Sequence, residues 1–188
     1  MISNELYNST SVVADELADL LQKHELKIVF AESCTAGLVS AILAQHPGIS
    51  KWLCGSAVTY RVPVKEEWLQ IDTELIKRFT AVSPEVTMEM ARSVLAKTND
   101  ADLSIAITGH LESGASDQGT FVILSKGTRE TRTDIRADSE RLPLQESTRS
   151  LRQWEAAKLA LSAAIQHVKN LQNTTNITIR KLDLSEND

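Results

Sequence analysis

The spacing of apolar positions predicts a chain that alternates between helices and strands. Near the N-terminus, apolar residues recur every three or four positions, which predicts a first helix from about residue 4 to residue 24. Three further helices follow from the same spacing, over about residues 35–45, 65–69 and 144–168. Ser83-Pro84-Glu85 is a typical helix start, with a cap residue, a proline in the first turn and then an acid.

Short apolar runs between these helices predict the strands of a sheet. They lie at about residues 27–31, 57–60, 103–108, 120–124 and 131–135. Strands separated by helices pair in parallel and carry helices on both faces, whereas the last two strands can form a hairpin through Lys126-Gly127. The predicted fold class is therefore α/β, a three-layer α/β/α sandwich with a mixed, mostly parallel sheet.

The predicted sheet brings polar residues from three distant segments to one edge. Ser33, Tyr60 and the pair Thr108-Gly109 each end or follow a predicted strand. In open α/β sheets the ligand crevice lies at the carboxyl ends of the strands. The sequence thus predicts a binding cleft formed by these residues.

The composition is typical of one ordinary globular domain. The 188 residues, 42% hydrophobic and 24% charged, predict a single domain over residues 1–170 and a polar, flexible tail over residues 171–188. A net charge of -5 argues against a nucleic-acid partner, and no apolar run is long enough to cross a membrane. The N-terminus lacks the layout of a signal peptide, and the two cysteines lack metal-ligand spacing, which together favour a reducing cytoplasm and no metal site.

Two residues at the predicted cleft are candidates for chemistry, and each has a structural alternative. Ser33 lies between a strand and a helix, where a serine either caps the helix, the more common role, or acts as a nucleophile. Lys65 either begins a solvated helix face or, if it is partly buried, loses its proton easily enough to activate Ser33. Taken alone, the residues favour the structural role in both cases.

Several separate motifs occur in one order along the chain and together resemble a known family. They are residues 31–38 (AESCTAGL), Pro47-Gly48-Ile49-Ser50, Val58-Thr59-Tyr60 with Lys65, Ala81-Val82-Ser83, and Ala106-Ile107-Thr108-Gly109 followed by Gly119-Thr120. In order and spacing they resemble the C-terminal domain of CinA, the competence-damage-inducible protein, in the nicotinamide-nucleotide amidase family. The resemblance implies a cytoplasmic bacterial protein, often a homodimer. It also implies deamidation of nicotinamide mononucleotide to nicotinate mononucleotide and ammonia, with no metal or organic cofactor.

Carried over by position, the resemblance assigns roles to individual residues. Ser33 matches the family's nucleophile and Lys65 its general base. Seven further positions match residues around the substrate, a small nucleotide or amide: Thr35, Gly37, Ser50, Tyr60, Thr108, Gly109 and Arg152. In this interpretation Lys65 takes the proton of Ser33, and backbone amides that follow Ser33 stabilise the oxyanion.

The chain departs from the family pattern in its ligand loop and near the last helix. Ala36 stands where the family has a glycine. The ligand loop, residues 110–118, carries Glu112 and Asp117 in place of the family's glycine-rich run. Acidic side chains repel a phosphate, whereas glycine amides can bind one. Arg149 is offset by one position from a family arginine, so Arg149 and Arg152 are both candidate phosphate ligands. A second hypothesis is therefore a weak or inactive paralogue that keeps the scaffold for ligand binding or assembly.

Overall fold

Five strands form one mixed sheet at the centre of the molecule. The computed structural model describes residues 4–114, 119–131 and 134–185, with side chains up to residue 173. The strands are β1 (Ile28–Glu32), β2 (Leu53–Val58), β3 (Leu103–His110), β4 (Phe121–Arg129) and β5 (Ile135–Pro143). They lie in the order β2-β1-β3-β4-β5, with β1 parallel to β2 and β3, and with antiparallel β3–β4 and β4–β5 pairs. Four of the five described strands therefore run in the same direction, and the mixed sheet is confirmed.

Helices cover both faces of this sheet, as the α/β/α prediction requires. They are α1 (Asn4–His24), α2 (Leu38–Leu43), α3 (Val62–Leu69), α4 (Thr73–Phe79), α5 (Pro84–Lys97) and α6 (Arg149–Ser185), with a short 3-10 helix at Ile49–Lys51. Side chains of α1, α2 and α6 form the core on one face, and those of α3, α4 and α5 form it on the other. Within the described ranges, no helix combines the length and the hydropathy that a membrane span requires.

Alternating side chains along β1 divide the core between the two faces. Ile28 and Phe30 pack with α1, α2 and α6, whereas Val29 and Ala31 pack with α5. Helices therefore cover both faces of β1, which explains its continuous apolar run. Glu32 ends the strand and is also fully buried, so a carboxylate lies inside the protein next to Ser33.

The helices differ from the predicted ones at three places. α2 begins at Leu38, because residues 33–37 form a tight turn instead of the first helical turn. α4, which the apolar spacing does not predict, has Asp72 as its cap. α6 begins later than predicted and continues to Ser185, so it includes most of the segment that composition assigned to a polar tail. Residues 186–188 of that segment lie outside the described residues.

β5 lies later in the chain than the sequence predicts. It begins where the predicted strand at 131–135 ends, and Lys126-Gly127 lies inside β4 instead of at the hairpin turn. The expected hairpin is present, because β4 and β5 are adjacent and antiparallel. β5 is an edge strand, and its charged alternate positions conceal the apolar pattern: Arg136, Asp138 and Glu140. Residues 132 and 133 of the predicted strand lie outside the described residues.

Candidate active site

A cleft of about 190 Å³ opens at the carboxyl ends of β1 and β3. Its lining includes residues from five segments of the chain: Ser33, Cys34, Tyr60, Lys65, Ala81, Val82, Gly109, Glu112 and Arg149. Ser33 follows β1, Gly109 lies near the end of β3, and Tyr60 lies between β2 and α3. This is the edge at which open α/β sheets bind ligands, and the three predicted segments meet there.

Lys65 contacts Ser33 in this cleft. The Nζ atom of Lys65 lies 3.0 Å from the Oγ atom of Ser33, and it also donates a hydrogen bond to the backbone carbonyl of Thr59. The lysine is only 1% exposed, because α3 starts directly after β2 and directs this side chain back to the sheet edge. Lys65 therefore does not begin a solvated helix face, which was the structural alternative for this residue.

Burial lowers the pKa of Lys65 from its ordinary value of 10.5 to about 8, because the charged ammonium loses its hydration. Interaction with Cys34 raises this pKa, and its effect is the smaller one. An ammonium group has three hydrogens to donate, and the described residues supply Lys65 with two acceptors. A neutral amine can instead donate to the Thr59 carbonyl and accept the hydroxyl hydrogen of Ser33. That arrangement is the one that activates a serine.

A buried carboxylate organises the turn that carries Ser33. Glu32 is 0% exposed, and its two carboxylate oxygens accept six hydrogen bonds of 2.8 to 3.0 Å. The donors are the amides of Gly37, Val39 and Ser40 and the hydroxyls of Thr35, Ser40 and Ser56. Glu32 thus satisfies the free amides at the start of α2, which is the role of a helix cap. The interpretation of Ser33 as the cap is wrong, since the position before α2 is Gly37 and it makes no side-chain cap bond.

The turn between β1 and α2 uses a backbone shape that is unfavourable for one of its residues. Ala36 has φ 54° and Gly37 has φ 95°, so both adopt the left-handed conformation. Glycine adopts this conformation without strain, whereas the side chain of an alanine makes it unfavourable. From α6, the side-chain amide of Gln153 donates to the carbonyl of Thr35 at 3.1 Å and holds the outside of the turn.

Arg149 lies at the mouth of the cleft between an acid and a phenol. Its Nη1 donates to the carboxylate of Glu112 at 2.9 Å, and its Nη2 donates to the hydroxyl of Tyr60 at 2.7 Å. The pKa of Arg149 is raised, because the hydrogen bond and charge of Glu112 and the contact with Tyr60 outweigh the opposing effect of burial. Arg149 is therefore the arginine that reaches the cleft, although the motif match favoured Arg152.

Arg152, which the resemblance assigned to substrate binding, binds backbone carbonyls and does not line the cleft. Its guanidinium donates to the backbone carbonyls of Glu146, Leu111 and Ser147 at 2.6 to 2.9 Å, and the residue is 9% exposed. These bonds join α6 to the segment after β3. One helical turn separates Arg152 from Arg149, and only the latter points into the cleft lining.

The predicted residues at the end of β3 have different roles. Thr108 is fully buried, and its hydroxyl lies 2.7 Å from that of Thr87 on α5, so it supports the cleft from below. Gly109 lines the cleft. A side chain there would meet the carbonyl of Phe121 at 2.6 Å and the sulfur of Cys34 at 3.2 Å, which restricts this position to glycine.

Three other predicted binding residues do not reach the cleft lining. The hydroxyl of Thr35 and the amide of Gly37 both donate to Glu32, so these residues support the turn. Ser50 is exposed in the 3-10 helix before β2. Because β1 and β2 are parallel, that helix lies at the amino ends of the strands, opposite the cleft.

Cys34 is the second nucleophilic residue in the cleft, but it remains protonated near neutral pH. Burial raises the pKa of its thiol from 9.0 to about 12, and the charge of Lys65 opposes this shift only weakly. In the part of the chain that the structure describes, no three side chains of His, Cys, Asp or Glu come together as a metal site would require.

Glu32 and Gln153 are the site residues that the sequence reasoning missed. Glu32 had a readable signal, since it is a single carboxylate at the end of an apolar strand and precedes a turn rich in hydroxyls. Gln153 had none, because it lies on a distant helix whose packing is set by the tertiary fold.

Comparison with known proteins gives one consistent result. A family model for the CinA C-terminal domain matches residues 10–166. Relatives include a CinA-like protein of Dictyoglomus thermophilum, 38% identical over 109 residues, and a putative competence-damage inducible protein of Clostridium botulinum, 36% identical over 110 residues. These matches cover 57% and 58% of this chain but 26% and 27% of the relatives. The chain thus spans about a quarter of the length of the curated relatives it matches.

Solved structures share the same fold. The competence/damage inducible protein CihA of Agrobacterium tumefaciens aligns with a TM-score of 0.77 at 23% identity, covering 88% of this chain and 97% of that one. A CinA superfamily protein of Klebsiella pneumoniae aligns with a TM-score of 0.76 at 23% identity, covering 86% and 98%.

We expect Ala36→Gly to raise the free energy of unfolding by about 1 kcal/mol, because glycine relieves the left-handed strain at this exposed turn position. Urea unfolding monitored by circular dichroism measures the change. Ala41→Gly is the matched control, since Ala41 is exposed inside α2 and its replacement should lower stability by about 1 kcal/mol. A loss of stability in both variants would contradict the strain.

Lys65→Met should stabilise the protein most at neutral pH and less as the pH rises. The pKa of Lys65 is lower in the folded state than in the unfolded state, so the folded protein binds fewer protons between about pH 8 and 10.5. The free energy of unfolding of the wild type therefore increases with pH across this window, and that of Lys65→Met lacks this contribution. Urea unfolding of both proteins at pH 7, 9 and 10.5 tests the sign. If the difference in the free energy of unfolding between the two proteins is constant or grows with pH, burial does not disfavour the charged form of Lys65.

Proposed function

The chain belongs to the family of the CinA C-terminal domain, and from this premise we propose that it is an amidohydrolase acting on nicotinamide mononucleotide or a related carboxamide. One observation carries the proposal: Ser33 and a buried lysine with a lowered pKa are 3.0 Å apart at the ligand edge of the sheet. Structural lysines are rarely buried without a carboxylate partner, because the burial is costly. A lysine that must give and take a proton benefits from that burial.

In the proposed acylation step, the neutral amine of Lys65 takes the hydroxyl proton of Ser33 while Oγ attacks the carbonyl carbon of the substrate amide. A carbon–oxygen bond forms, and the carbonyl oxygen becomes an oxyanion. Cys34 and Thr35 follow the nucleophile in the turn, and neither amide donates a hydrogen bond to another described residue. We assign these two amides to the oxyanion, since such donors stabilise the charge that develops there.

Collapse of this intermediate breaks the carbon–nitrogen bond. The ammonium of Lys65 returns its proton to the leaving nitrogen, ammonia departs, and the acyl group remains as an ester on Ser33. Water then attacks the ester and gives one proton to Lys65, which passes it to Ser33 as the acyl–oxygen bond breaks. The product leaves as a carboxylic acid, and its remaining proton goes to the released ammonia. Overall, amide and water yield carboxylate and ammonium, and no electron donor or acceptor is needed.

A second candidate function is ligand binding without turnover. The observation that favours it is the state of the cleft mouth, where Glu112 pairs with the arginine that a phosphate would need. The cleft volume of about 190 Å³ is also below the range of about 300–1,000 Å³ for typical ligand pockets. The cytoplasmic location and the homodimer that the family resemblance implies remain predictions for either function.

Ser33→Ala and Lys65→Ala should each lower ammonia release from nicotinamide mononucleotide by at least about a thousandfold, and the double variant should be no worse than either, because the two residues act as a unit. Ser11→Ala and Lys23→Ala are matched controls on α1, which contributes no residue to the cleft lining, and should keep wild-type rates. Circular dichroism establishes that each variant is folded. Retained activity in folded Ser33→Ala would reject the nucleophile.

The same assay across pH separates the base from a merely structural lysine. Because only the neutral amine accepts a proton, kcat/KM should rise with pH and level off above about 8. If neither nicotinamide mononucleotide nor simpler amides release ammonia at any pH, the binding-only function is favoured.

A further inference from the structure

We propose that Glu112 is a built-in anion that competes with the substrate for Arg149, so that the cleft prefers carboxamides whose remaining portion is uncharged over those that carry a phosphate. This inference rests on the proposed function, because it names the substrate class of the same cleft. It makes Glu112 and Arg149 specificity-determining residues with no part in the chemical step.

The placement of Arg149 defines where the tail of a substrate must lie. Arg149 lines the same cleft as Ser33 and Lys65, and it lies at the mouth beside Tyr60. A carboxamide whose carbonyl carbon contacts Ser33 therefore directs the rest of the molecule outward along the guanidinium. A guanidinium is the side chain that best binds carboxylate and phosphate oxygens.

In this structure that position on Arg149 is occupied by the protein itself. Nη1 donates to Glu112 at 2.9 Å and Nη2 donates to Tyr60 at 2.7 Å, so both terminal nitrogens have acceptors. A guanidinium has five N–H donors, so an anionic tail either displaces the carboxylate of Glu112 or binds beside it, against its negative charge. A neutral tail meets no such competition, since it can pass the intact pair.

The other basic residues near the cleft do not replace Arg149 in this role. Lys65 is buried and bonded to Ser33 and Thr59, and Arg152 is committed to three backbone carbonyls. His110 also lines the cleft, but its ring packs edge-on against Phe121 at 5.2 Å between centroids. Among the described lining residues, Arg149 is therefore the one guanidinium available to an anion, and Glu112 controls it.

The ion pair of Arg149 and Glu112 is accessible to ligands, so replacement of Glu112 by another anion can be measured. The side chains of Arg149 and Glu112 are 46% and 59% exposed, so a ligand can reach both from solvent. Solvent also screens their attraction, which keeps the effect of removing Glu112 moderate, at about tenfold in anion affinity.

The test uses ribose 5-phosphate, which carries a phosphate tail but no amide, so that its binding does not depend on turnover. Isothermal titration calorimetry at low salt should show weak binding to the wild type and about tenfold tighter binding to Glu112→Gln. Glu16→Gln is the matched control, because Glu16 forms a similarly exposed pair with Lys169 on the α1–α6 surface and its loss removes the same charge. Glu112→Gln combined with Arg149→Gln should lose the gain.

Ammonia release then compares nicotinamide mononucleotide with nicotinamide riboside. The ratio of kcat/KM for the mononucleotide to kcat/KM for the riboside should rise about tenfold in Glu112→Gln, because only the mononucleotide carries the phosphate that competes with Glu112. Equal ribose 5-phosphate affinity in wild type and Glu112→Gln, or no binding by either, would overturn the role of Glu112. If ribose 5-phosphate binds as expected but no amide is hydrolysed, the anion competition stands and the amidase function fails.

Discussion

The carboxylate of Glu32 is fully buried beside Ser33, and a charge in that position requires hydrogen bonds to almost all of its lone pairs. Six donors from the turn, from α2 and from β2 meet this requirement. These hydrogen bonds fix the position of the carboxylate, and they equally fix the positions of the groups that donate them. The turn between β1 and α2, and with it Ser33, is consequently held in one conformation.

These hydrogen bonds also explain why the pKa of Lys65 is lowered, although the carboxylate of Glu32 is adjacent in sequence to Ser33, the hydrogen-bond partner of the lysine. Glu32 directs its oxygens toward the start of α2, whereas Lys65 binds Ser33 and the Thr59 carbonyl. If the two charges were paired directly, the pKa of the lysine would be raised and its amine would stay protonated. Satisfying the carboxylate with neutral donors leaves the buried lysine free to act as a base. Turn geometry and base strength therefore depend on the same set of hydrogen bonds.

The fold and part of the site can be predicted from the amino-acid sequence, and the physical reason differs from residue to residue. The strand–turn–helix pattern and strand-end rule placed Ser33, Tyr60 and Gly109 at the cleft, because those positions follow from local periodicity and topology. The sequence did not predict that Arg152 lies outside the cleft lining, since its rotation on α6 toward backbone carbonyls depends on where the helix starts. The contact of Arg149 with Glu112 joins residues far apart in sequence, and no local pattern encodes it.

The most direct test is a pH titration of Lys65 in the wild type and in Glu32→Gln. The titration is monitored by NMR of the lysine side chain labelled with carbon-13, and it tests whether the pKa of Lys65 depends on the buried carboxylate. Glutamine keeps the shape of Glu32 but places an amide nitrogen where donors already converge, so the turn should loosen and admit water to the lysine. We predict a pKa of about 8 for Lys65 in the wild type and a value closer to 10.5 in Glu32→Gln, with both proteins folded. A wild-type lysine that titrates near 10.5, or an identical pKa in the two proteins, would contradict the dependence of the base on the buried carboxylate.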